Sequence, residues 1–147
     1  MKWPLLLAIA VILSVALIWA FRPTSLPRAR GTRTLSVGGH DFSVEIADTV
    51  AFRARGLSGH APLLENEGML FVFRGTTSGP FWMKDMLFPI DIIWIRDGIV
   101  VGVTENALPM GQTGFRLYPP PMAVDRVLEV NAHTVKRLHV IRGDEVH

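Results

Sequence analysis

The sequence predicts a mainly β domain, a jelly-roll-like sandwich or barrel with one or two short helices, preceded by one N-terminal hydrophobic helix. Short apolar runs of strand length, several of them alternating, recur from Leu35 to the C-terminus. Turn residues separate them at spacings that favour antiparallel strands over the alternating strands and helices of a parallel α/β sheet. The first two dozen residues differ in kind from everything that follows.

Length sets the organisation. A chain of 147 residues carries one domain, and its composition divides it into a hydrophobic segment at 1–21, a linker at 22–33 and a β domain at 34–147. With 49% apolar residues the chain can bury a core, although the mean hydropathy of +0.31 is raised by the N-terminus. The absence of cysteine excludes a disulfide framework, a thiolate zinc site and a cysteine nucleophile.

From Pro4 to Phe21 the chain runs for about 18 residues without a charge, which as a helix spans roughly 27 Å and just crosses a hydrocarbon core. Trp3 and Trp19 lie near its ends, where indole rings favour the interface. A cleaved signal peptide is the competing reading. Its one tolerable small-x-small site, Ser14-Val15-Ala16, would leave Leu17-Ile18-Trp19 as a greasy new terminus, so an uncleaved anchor is expected. Arg22, Arg28, Arg30 and Arg33 follow the segment and only Lys2 precedes it. Taken literally, the positive-inside rule keeps the domain in the cytoplasm.

In the β domain, Leu35 and Val37, a Gly38-Gly39 turn, and Phe42, Val44 and Ile46 form a hairpin with one apolar face. Asp48 is the expected N-cap of a short helix through Arg55, stopped by Gly56. Met69–Phe73, Phe81–Leu87, Ile90–Ile95 and Ile99–Thr104 read as strands, the last two joined by the tight turn Arg96-Asp97-Gly98. Leu108–Met122 holds four prolines and two glycines, cannot be a central strand, and is long for a structureless loop. Val124–Val130 resumes the strand pattern, and a helix around Thr134–Leu138 and a last strand at Val140–Val146 complete the chain.

The pI near 9.5 does not indicate a nucleic-acid partner. Five of the 15 basic residues flank the hydrophobic segment, leaving ten against 13 acidic ones, so the domain itself carries about −3. The arginines form a juxtamembrane collar suited to anionic headgroups. The five histidines lie far apart with no ligand spacing, and Gly56-Leu57-Ser58-Gly59 lacks the order of a nucleophile elbow. No metal or other cofactor is expected.

Asp91 is the most informative residue of the domain. It interrupts the otherwise apolar run Pro89–Ile95, where an unpaired carboxylate is costly. A compensating partner is required, and Lys84 or Arg55 could supply the charge. One reading makes Lys84 and Asp91 a polar pair at the floor of a cleft walled by Trp82, with Arg55 nearby. The other makes Asp91 a structural carboxylate, held by an ion pair or by backbone N–H groups. Most of the aromatic residues belong to the core, with Trp82 the one expected in a cleft.

Arg55-Gly56-Leu57, then Glu67-Gly68-Met69-Leu70-Phe71-Val72-Phe73, then Phe81-Trp82-Met83-Lys84 and Pro89-Ile90-Asp91-Ile92-Ile93, in that order and spacing, resemble the family called domain of unknown function 192. The likeness runs from about Leu35 to Gly143-Asp144. The chain departs from the family pattern at Ser58, where methionine is usual, at His60, where arginine is usual, and at Asp85-Met86, where asparagine-threonine is common; a glycine occurs in the family near His133. The resemblance implies a jelly-roll-like sandwich or barrel and an extracytoplasmic domain, periplasmic or extracellular, and it implies no activity. The resulting expectation is a membrane-anchored binding or accessory module for a small polar ligand or an envelope partner, using Trp82, Lys84, Asp91 and Arg55. Two alternatives stand beside it: an enzyme with Asp91 as acid or base tuned by Lys84, and a structural protein of envelope assembly.

Overall fold

The computed structural model describes residues 31–147. The hydrophobic segment at 1–21 and nearly all of the linker lie outside the described residues. Among the described residues no helix is long and apolar enough to cross a membrane.

The domain is mainly β with three short helices. Its strands are β1 (Thr32–Val37), β2 (His40–Ala47), β3 (Glu67–Thr77), β4 (Phe81–Trp82), β5 (Ile90–Arg96), β6 (Ile99–Ala107), β7 (Leu117–Tyr118) and β8 (Val124–Asn131). The helices are α1 (Val50–Arg55), α2 (Met110–Thr113) and α3 (Thr134–Leu138). Six strands form one mixed sheet in the order β1-β2-β3-β8-β5-β6, and β4 pairs with β7 in a separate ribbon. The two four-stranded sheets of a jelly roll are not seen among the described residues, so the expectation holds at the coarser level of a β-rich domain with few short helices. One pair, β2 with β3, is parallel, because α1 and the segment after it carry the chain across between them.

The sheet buries both faces, which is why its central strands read as nearly continuous apolar runs. On the first face Met69, Phe71, Ile90, Ile92, Trp94 and Val127 meet Leu57 and the β4–β7 ribbon. On the second, Val37, Phe42, Leu70, Ile93, Ile95 and Leu128 meet Val135 of α3 and Val140. The Trp94 indole N–H, deep in the core, donates to Thr104 Oγ1 at 3.0 Å, so its polar atom is not stranded.

The Gly38-Gly39 hairpin is as the pattern requires, both glycines having positive φ. Three local expectations are corrected. Thr49, not Asp48, caps α1, its hydroxyl accepting from Phe52 N–H at 3.2 Å. The strand expected at Phe81–Leu87 ends at Trp82, because Asp85 takes a left-handed conformation (φ 57°) and turns the chain. The last strand expected at Val140–Val146 is instead a tie across two sheet edges. Ser36 and His147 exchange backbone N–H···O bonds at 2.9 and 3.0 Å on the β1 side, while Val146 N–H donates to Gly98 O at 2.8 Å on the β6 side. Bridges Val37–Val146 and Ile99–Glu145 complete it. The C-terminal residues thus satisfy backbone groups that both edge strands would leave open, and they close the sheet around its second core.

Candidate functional site

Asp91 is fully buried, and among the described residues no cation pairs with it. Its Oδ1 accepts from the backbone N–H of Asn106 at 2.8 Å and its Oδ2 from that of Val135 at 2.9 Å. The compensation required by its apolar setting is therefore supplied by two peptide groups, one on β6 and one in the first turn of α3, and not by Lys84 or Arg55. Strand alternation explains the separation. Ile90, Ile92 and Trp94 point to the first face of the sheet, whereas Asp91, Ile93 and Ile95 point to the second, beneath α3. Lys84 is exposed in the turn after β4, whose backbone is docked on the segment after α1. There Ser58 Oγ donates to Lys84 O and Gly59 N–H to Asp85 O, each at 2.9 Å.

The first face carries a pocket of about 320 Å³ between α1, the C-terminal half of β3 and β4. Trp82 and Arg55 both line it; Lys84 and Asp91 do not. Its walls are Leu57, Phe71, Phe73, Phe81 and Met86, with Trp82, half-exposed, at the rim. Phe81 stands edge-on between Phe71 (centroids 5.1 Å apart) and Trp94 (5.4 Å), so three rings interlock along this wall. Gly56 permits the close approach of α1 to it. A Cβ at that position would lie 3.2 Å from the Phe71 ring on a backbone with φ 50°.

Two arginines of α1 border the pocket and differ in freedom. Arg53 is fixed: its Nη1 donates to the carbonyls of Asp48 (2.7 Å) and Val72 (2.9 Å), and its guanidinium lies over the Phe73 ring at 5.1 Å. The Arg55 side chain makes no hydrogen bond or ion pair with another described residue and keeps its donors available.

The residue that sequence reasoning missed is Glu129. It projects from the central strand β8 between Met69 of β3 and Ile92 of β5, is only 5% exposed, and reaches the pocket. No described residue donates a hydrogen bond to its side chain. Burial raises its pKa from an ordinary 4.5 to about 8, leaving it mostly a neutral acid at pH 7. The signal was the one that marked Asp91, an acidic residue inside an apolar strand run, here Val127-Leu128-Glu129-Val130. The two buried acids thus occupy opposite faces of one sheet. Each Asp91 oxygen accepts from one backbone donor, while Glu129 has no partner among the described residues and opens to a cavity.

The solved structures place the domain among relatives. A protein from Sinorhizobium meliloti 1021, described as a "putative transcription regulator", is 33% identical, with 81% of this chain and 95% of that one covered and a TM-score of 0.74. A protein of unknown function from Novosphingobium aromaticivorans DSM 12444 is 30% identical, covering 87% of this chain and 94% of that one, with a TM-score of 0.75. Among curated proteins none matches. The family DUF192, described as "Uncharacterized ACR", matches residues 33–147, the whole β domain, and the chain belongs to that family.

Proposed function

We propose that the protein is a membrane-anchored, extracytoplasmic binding module that takes a small ligand into the pocket between α1, β3 and β4. The observation that carries this reading is the pocket itself, a concave site with apolar and aromatic walls and a few converging polar groups, the usual make-up of a small-molecule site. Its lining favours a ligand with an apolar body over the small polar one expected at Trp82, Lys84, Asp91 and Arg55. Catalysis by Asp91 is not part of the proposal, since a side chain sealed under α3 by two peptide N–H groups cannot reach a substrate. Nor is a nucleic-acid role, because the β domain carries more acidic than basic residues.

The test is a fragment screen by ligand-observed NMR on the full chain. Ala54, an exposed α1 residue at the pocket rim, gives a blocking variant that leaves the core untouched. Ala54→Trp is expected to weaken pocket hits at least tenfold, whereas Lys84→Ala leaves them unchanged. Hits indifferent to Ala54→Trp would remove the pocket from consideration. Anchoring rests on the uncharged apolar run Pro4–Phe21. A periplasm-active reporter fused after His147 is expected to be active in cells, and a reporter active only when cytoplasmic would reverse the orientation.

A further inference from the structure

We propose that the ligand of this pocket is an uncharged or anionic molecule with an apolar body and a carbonyl or carboxylate oxygen, which accepts a hydrogen bond from Glu129 acting as a neutral carboxylic acid. The proposal rests on the pocket being a ligand site and specifies the chemistry that it selects.

The geometry leaves Glu129 few other roles. Its carboxyl projects from the middle strand of the sheet to the pocket, almost wholly enclosed by protein, with no hydrogen-bond partner among the described residues. Because the carboxyl opens to the pocket, a ligand oxygen there replaces a bond to solvent, in surroundings whose low polarity strengthens it. The charged side chains lining the pocket are Arg53 and Arg55 from α1 and Glu129 from β8; β3 and β4 contribute none. With Glu129 neutral, the lining offers proton donors and positive charge. An ammonium ligand would have to ionise Glu129, shed its own hydration and pass two guanidinium groups. An acceptor needs none of these, and its apolar body fits between Leu57, Phe71 and Phe81.

Three probes with one body separate the possibilities: 3-phenylpropanamide, 3-phenylpropanoate and 3-phenylpropylamine, titrated into the full chain in lipid nanodiscs from pH 6 to 9.5. The amide and the carboxylate are expected to bind and the amine not to. Affinity for 3-phenylpropanoate, which can only accept, should be flat at low pH and fall about tenfold per unit once Glu129 ionises, above pH about 8. Glu129→Gln keeps a donor that cannot ionise, so it should bind 3-phenylpropanoate within about threefold of the parent and without pH dependence. The pH series on the unmodified chain is a second arm, independent of how the variant folds. Tightest binding by the amine, strengthening with pH and lost in Glu129→Gln, would overturn the acceptor assignment while leaving the pocket as a ligand site. Binding of none of the three, or 3-phenylpropanoate binding that ignores pH in the unmodified chain, would overturn it equally, and the pocket reading would then be judged separately by the Ala54→Trp comparison.

Discussion

Replacing Asp91 with alanine is expected to lower stability by about 3 kcal/mol or more, enough to move the thermal midpoint down by roughly 10 °C. The carboxylate is the acceptor for the N–H groups of Asn106 and Val135, both of which alanine would leave without it. The Val135 donor is buried and costs on the order of 1–3 kcal/mol without its acceptor, the partly buried Asn106 donor costs less, and the vacated volume adds to both. An asparagine in its place would keep one acceptor oxygen but present an amide N–H₂ to the second donor, so Asp91→Asn is expected to lose about half as much. Thermal unfolding of the two variants beside Lys84→Ala checks the assignment. The lysine variant should match the parent, whereas a shared loss in all three would mean that an ion pair with Lys84 holds the site. The apolar strand run around Asp91 tolerates a carboxylate because β6 and α3 bring peptide dipoles to it, which makes the residue a tie between sheet and helix.

Glu129 produces the opposite effect, with a defined pH window. In the unfolded chain its carboxyl ionises near 4.5, and in the folded chain near 8. The folded state therefore binds the proton more tightly, and the stability linked to this group is fully present below pH 4.5 and lost as pH rises to about 8, beyond which it changes no further. The loss between these limits is at most about 5 kcal/mol, at a slope approaching 1.4 kcal/mol per pH unit. Glu129→Gln removes the titration. It is expected to stabilise the protein relative to the parent by an amount that is small at pH 4.5, grows through neutrality and levels off above pH 8. Urea unfolding of both chains across that range measures it. A constant difference would mean that Glu129 titrates normally. A destabilising buried acid beside a pocket is what a site retained for binding, at the expense of stability, would contain.

Much of the domain was legible because strand alternation, turn chemistry and helix punctuation are local. Phe42, Val44 and the paired glycines define the first hairpin, Thr134–Leu138 is the helix that the pattern indicates, and Gly56 ends α1 as a glycine after Arg55 should. The parallel β2–β3 pair and the C-terminal tie were not legible. Both depend on which strands become neighbours across the sheet, and the apolar pattern of a single strand is the same whoever its neighbour is. The site divides along the same line. Trp82 and Arg55 do meet at one pocket, but Lys84 is carried away by the turn at Asp85 and Asp91 faces the other side of the sheet.

Residue order alone was enough to establish a β-rich domain of the DUF192 family and an acid at position 91 that has to be compensated, because apolar surroundings penalise a bare carboxylate wherever the chain places it. What compensates it emerged from the folded arrangement. The donors lie 15 and 44 residues away, brought close by sheet order and the docking of α3. The same long-range packing left Glu129, an acid in a comparable strand run, without a donor among the described residues and facing a cavity. Alternation along a strand fixes which residues share a face, but what covers that face depends on segments distant in the chain.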